Sequence, residues 1–229
     1  MTKKPAVPLE RRQMEAALQL YQKCKGWQAT DEALDSLARS FPDFDFKSIL
    51  LKAAAVNALY GTQVYAVVEV AEHLCSVLGN TTLPATSALV EELAKVKFVK
   101  GSKHITWTFR SFASKFAHFF IDPNQFPIYD SYAVKMLTYH LNGKGREGLS
   151  YEQFAAGFSA LKDALDFPVT IRELDRYLWL AGQLRAWKGL LPWRRPYTGI
   201  NSELQRLFES PAGEVQELTR AVLGRGENP

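Results

Sequence analysis

Residues 109–137, FRSFASKFAHFFIDPNQFPIYDSYAVKML, constrain the fold of this chain more than any other stretch. Phe112, Phe116, Phe119 and Phe120 recur at helical spacing, a Pro-bracketed loop follows, and a second helical pattern begins at Asp130. Two charges interrupt this apolar run: Lys115 in the middle of the first helix and Asp130 at the start of the second. A charge in apolar surroundings is costly unless it has a partner or a chemical task. The pair therefore reads as an active site or as a structural ion pair, and Asp130 alone could simply cap its helix.

The rest of the chain repeats the helical theme. Spacing predicts a helix over 9–25 closed by Gly26, and a short one over 30–39 capped by Thr30 and ended by Phe41-Pro42. Asp45 is an N-cap candidate for 46–60, FKSILLKAAAVNALY, which is apolar nearly all round and so reads as central. Gly61 breaks it, and Thr62 is positioned to cap the next helix, which ends at Gly79-Asn80. Further helices are expected over 86–96, 151–165, 171–190, 202–208 and 213–223, with Thr170 and Glu173 in capping-box positions. FVKGSKHITWTF admits either a short strand or a basic loop. The fold class is all-α. Its organisation is a disordered tail over 1–8, an all-α globular body over 9–223 (one mass, or two helical lobes with a cleft between them), and a polar tail over 224–229.

Composition narrows the class. The 229 residues are 47% hydrophobic and 23% charged, as in globular proteins with ample core. Lys52, Glu69, Glu72 and His73 interrupt the longest apolar runs, so no membrane span is expected. MTKKPAVPLERR lacks the apolar region of a signal peptide. Two cysteines, Cys24 and Cys75, fit a reducing, cytoplasmic setting and exclude a four-cysteine metal site. Glu69 and His73 lie four apart on a helix but read as a solvated face, so no metal is expected. No phosphate-cradling glycine motif and no G-x-S-x-G elbow occurs.

Net charge is only +4, but its distribution is uneven. Between Leu93 and Ile121 no acidic residue occurs, while Lys95, Lys97, Lys100, Lys103, Arg110 and Lys115 do. Arg176, Arg185, Lys188, Arg194, Arg195 and Arg206 form a second basic stretch against Glu203 alone. Such stretches suit a polyanion or, equally, a solvated surface. Lys100, Lys103, Arg110, Trp193, Arg194 and Arg195 are the nucleic-acid-binding candidates. Trp107, Tyr129 and Tyr132 are candidates for a base pocket, with Phe109 and Trp187 as further stacking surfaces.

On these residues the chain resembles the helix–hairpin–helix DNA glycosylase superfamily, which includes endonuclease III and the 8-oxoguanine glycosylases. Ala113, Ser114, Lys115, Phe116 and Ala117 are similar to its catalytic-helix motif through the K-T/F-A core. Ile128, Tyr129, Asp130, Ser131 and Val134 resemble its V-D-S/T segment. Upstream, VNALYGTQVYAVVEVAEHL has the outline of the family's buried helix, turn and following helix. The chain departs from the pattern in four ways: the L-P-G-V/I-G hairpin signature is absent before Lys115, the lysine–aspartate spacing is shorter, Tyr132 replaces the histidine after D-S/T, and the cysteine cluster of the iron–sulfur members is missing.

The resemblance implies an all-α glycosylase-like fold and binding to double-stranded DNA. It implies N-glycosidic cleavage of a flipped damaged or modified base, with or without lyase activity, and no cofactor. Lys115 would attack the anomeric carbon and form a Schiff base, and Asp130 would orient the nucleophile and stabilise the cationic sugar. The alternative is a non-catalytic all-α module that retains the fold and binds nucleic acid or protein.

Overall fold

The computed structural model describes residues 5–79, 86–100, 103–145, 148–190 and 199–224. In chain order the elements are α1 (Arg11–Tyr21), α2 (Lys25–Ser40), α3 (Phe46–Tyr60), α4 (Val67–Gly79), α5 (Ser87–Ala94), β1 (Lys95–Lys100) and β2 (Lys103–Thr108). They continue as α6 (Arg110–Phe120), α7 (Ser131–Asn142), α8 (Tyr151–Asp163), α9 (Ile171–Trp187), α10 (Ser202–Phe208) and α11 (Gly213–Leu223). The fold is all-α, with one antiparallel two-stranded ribbon among the described residues. No helix among them is long and apolar enough to cross a membrane.

The chain divides into two compact units: Met1–Ala29 with Asp130–Leu149 and Ala156–Pro229, and Thr30–Tyr129 with Ser150–Ala155. In the first, α9 is the central helix, with α1, α7 and α11 packed on it. Leu20, Leu174, Tyr177, Leu178, Ala181, Leu184 and Val222 are fully buried there. Thr170 caps α9, its hydroxyl accepting the Glu173 N–H while the Glu173 carboxylate accepts the Thr170 N–H, which satisfies two otherwise orphaned donors. Pro5–Pro8, expected in a disordered tail, are instead held. The Val7 N–H donates to the His140 carbonyl at 2.9 Å, and His140 Nδ1 donates to the Val7 carbonyl at 2.8 Å.

Gly26 does not close α1. It lies in the first turn of α2, where the Glu203 carboxylate accepts the N–H groups of Gly26 and Trp27 at 3.0 and 3.3 Å. A carboxylate against a helix N-terminus satisfies orphan donors and complements the dipole. Thr30 is consequently interior to α2 rather than its cap.

In the second unit α3 packs on α4 and α6, and α5 packs on α6. Asp45 caps α3 as its position suggests, accepting the Lys47 and Ser48 N–H groups, and Gly61 ends it in the left-handed region at φ 57°. The expected all-round burial of α3 does not hold. Leu51 and Leu59 are exposed, whereas Lys52 is buried, its amine donating to the Asp43 carbonyl at 2.7 Å over the Phe44 ring. Desolvation lowers the Lys52 pKa, opposed by Asp43 and Asp45. FVKGSKHITWTF resolves into β1 and β2, with Lys95 opposite Thr108 and Lys100 opposite Lys103.

Candidate functional site

The site begins with α6. Every residue from Phe112 to Phe120 is buried, so Lys115 has no solvated face to turn towards and is only 4% exposed. Its amine donates to Ser111 Oγ at 2.7 Å and to the Ser111 carbonyl at 3.2 Å, one helical turn back. It also lies over the Tyr60 ring, 5.4 Å from the centroid. Tyr60 in turn donates its hydroxyl proton to Asp31 Oδ1 at 2.8 Å, and Asp31 is itself buried. Tertiary structure thus gathers Lys115, Ser111, Tyr60 and Asp31. Ser111 was legible as the residue four before Lys115. Tyr60 and Asp31 carry no sequence signal, because they arrive from α3 and α2.

The strand of chain after α6 is fixed to it. The Tyr129 N–H donates to Ser114 Oγ at 2.9 Å, and the Tyr129 ring meets Phe154 edge-on. Burial raises the Tyr129 pKa; the Arg110 charge opposes this and Glu91 adds to it. His118 is buried, with Nδ1 donating to the Phe126 carbonyl at 2.8 Å.

Asp130 falls in the other compact unit. It is the N-cap of α7, its Oδ1 accepting the Tyr132 and Ala133 N–H groups at 2.8 and 3.2 Å. Tyr132 is buried on that helix, and burial, then the Asp130 charge, push its hydroxyl up to about 12.

The remaining candidates disperse. Arg110 is committed to Glu91, Nε to Oε1 at 2.8 Å, and the same carboxylate oxygen accepts the Tyr151 N–H. Lys100 and Lys103 are the last register pair of the ribbon. Trp107 is 47% exposed beside Phe98 and Phe109, with ring centroids 5.1 and 5.9 Å away. Trp187 ends α9 half-buried. Trp193, Arg194 and Arg195 lie outside the described residues.

One further feature escaped the sequence reading, which made Thr62 the cap of the following helix. That helix starts five residues later, and Thr62 donates to Asn57 Oδ1 instead. In the turn so formed Gln63 adopts φ 58° and Tyr65 stands 87% exposed. Among the described residues no group of three His, Cys, Asp or Glu side chains is placed to hold a metal ion.

Residues 13–125 match a protein family described as HI_0787_N, N-terminal domain. The matched stretch contains Lys115 with Ser111, Tyr60 and Asp31, and ends before Asp130. The chain is 32% identical over 131 residues to a Haemophilus influenzae protein described only as uncharacterized, an alignment covering 56% of this chain. The chain spans 62% of the length of that relative. No solved structure matches the chain.

Proposed function

We propose that the chain is a DNA-binding protein that cleaves the N-glycosidic bond of a base extruded from the duplex, with Lys115 as nucleophile. The observation that carries this reading is the Lys115 amine, buried on α6 yet held at a fixed position by Ser111 Oγ and the Tyr60 ring. A nucleophile gains rate from fixed placement and from exclusion of water. In this reading the amine attacks the anomeric carbon, the base departs with the bonding electrons and takes a proton from water, and one amine proton passes to the ring oxygen as the sugar ring opens to a protonated Schiff base. The family resemblance assigns Asp130 the stabilisation of the cationic sugar. The exposed rings of Tyr65 and Trp107 are stacking surfaces for unpaired bases.

Borohydride trapping tests it. Duplexes carrying an abasic site, uracil or 8-oxoguanine are incubated with the protein and reductant, and a covalent adduct is sought by gel. An adduct lost in Lys115→Ala supports the assignment. No adduct on any duplex, or an adduct that survives Lys115→Ala, removes it.

One observation favours a second reading, a module that binds nucleic acid without chemistry. Asp130 already has a structural task, since its carboxylate caps α7 through two N–H groups. That reading expects salt-dependent binding with no turnover.

A further inference from the structure

The ribbon of β1 and β2 carries four lysines and no acidic residue. Its register pairs Lys95 with Thr108 and Lys97 with Thr106. Because successive side chains alternate across a strand, these four share one face. All four are exposed, while Val96, between the two lysines, is buried to 1%. The ribbon is therefore anchored on one side, where β1 packs on α4 and α5, and presents two ammonium groups and two hydroxyls on the other. Among the described residues Glu92 pairs with this face, 3.4 Å from the Lys95 amine, with both partners about half exposed. A pair so exposed holds its lysine weakly.

Chemistry and dimensions name the partner. Ammonium and hydroxyl groups complement phosphate oxygens. Six residue pairs extend roughly 20 Å, and two strands lie about 5 Å apart. A two-stranded ribbon of that section enters the major groove of B-form DNA, about 12 Å wide, whereas the A-form major groove is too narrow to admit side chains. We propose that the Lys95–Lys97–Thr106–Thr108 face docks in the major groove of duplex DNA, its lysines on the phosphates of the groove walls. The inference rests on the DNA-binding half of the proposed function and is independent of any reaction at Lys115.

The test uses the full chain and fluorescence anisotropy against an undamaged 24-base-pair DNA duplex, the matching RNA duplex and the single strand, over a series of KCl concentrations. Lys95→Gln with Lys97→Gln is compared with Lys25→Gln with Lys144→Gln, which removes the same charge from exposed positions elsewhere. Thermal melts followed by circular dichroism establish that each variant folds.

The ribbon variant is expected to weaken duplex DNA binding at least tenfold. It should also lower the slope of log K against log salt by about two, since each phosphate contact contributes roughly 0.9. The control pair should change neither. DNA binding that survives the ribbon variant intact overturns the docking face and leaves the DNA-binding reading standing; the lysines would then only guard the strand edges against pairing. Equal affinity for RNA duplex or single strand overturns the major-groove assignment. Binding to none of the three overturns both the inference and the proposed function.

Discussion

Asn57 holds both backbone polar groups of Val64: the side-chain oxygen accepts the Val64 N–H at 2.8 Å, and the side-chain amide donates to the Val64 carbonyl at 2.9 Å. The side chain thus acts as a piece of backbone and stitches the turn after α3 onto the helix. Gln63, between Thr62 and Val64, is held in the left-handed region, where a residue with a Cβ is disfavoured. Asn57→Ala removes both bonds and leaves polar groups of Val64 unpaired. It is expected to destabilise the protein by about 1–3 kcal/mol and to speed hydrogen exchange at the Val64 amide. Urea unfolding and exchange measured together check this; unchanged exchange at Val64 would show that the turn is held by something else.

At Gly182 α9 comes close to the backbone of α7. A Cβ there would lie 2.6 Å from the Tyr132 carbonyl oxygen and 2.9 Å from its carbon, atoms of a backbone that cannot swing aside. Gly182→Ala should cost about 1–3 kcal/mol by overpacking, despite alanine's better helix propensity. A rise in the urea midpoint would contradict the contact.

Asp130 separates capping from chemistry. Asn caps as well as Asp, so Asp130→Asn should leave stability within about 0.5 kcal/mol, while Asp130→Ala should lose about 1 kcal/mol. If the proposed glycosylase reaction operates, Asp130→Asn loses turnover without losing stability. Equal activity of Asp130→Asn and the wild type would restrict Asp130 to its cap.

His140 makes stability depend on pH. Burial lowers its pKa to about 4 and the Arg185 charge adds to this, against the opposing bond to Val7. Nδ1 faces a carbonyl and must donate, which leaves Nε2 to accept from the Tyr177 hydroxyl at 3.0 Å. The folded protein thus holds the neutral ring, while the unfolded chain protonates near 6.5. The contribution is fully present above pH 6.5 and is lost as pH falls from there to about 4, on the order of 3 kcal/mol in all. Chemical denaturation at pH 7.5, 6 and 4.5 should show this slope, and His140→Gln should flatten it.

Glu91 joins α5 to α6 and to the start of α8. Its Oε1 accepts both Arg110 Nε and the Tyr151 N–H, and these bonds outweigh the burial that would otherwise raise its pKa, so the net shift is downward. Glu91→Ala strands a part-buried guanidinium and a helix N–H, at an expected cost of about 2 kcal/mol. A smaller loss in the Glu91→Ala, Arg110→Ala double variant than the two single losses added together would measure their coupling.

Local chemistry made much of the fold legible. The boundaries of α3, the Asp45 cap, the left-handed Gly61, the Thr170–Glu173 box and a buried run with Lys115 at its centre all follow from neighbours within a few residues. What sequence left open was decided by partners far along the chain. Glu203 caps Gly26 and Trp27 from 177 and 176 residues away, so α2 begins five residues before its apparent cap at Thr30. The lysine-rich segment after α5 could have been loop or strand until Val96 found a buried place beside α4 and α5. Lys115 was evident as a charge in apolar sequence, but the Tyr60 ring that faces it, and the Asp31 carboxylate that holds the Tyr60 hydroxyl, come from other helices. Helix periodicity and capping are written in adjacent residues; the partners of a buried charge are chosen by packing, which adjacent residues do not encode.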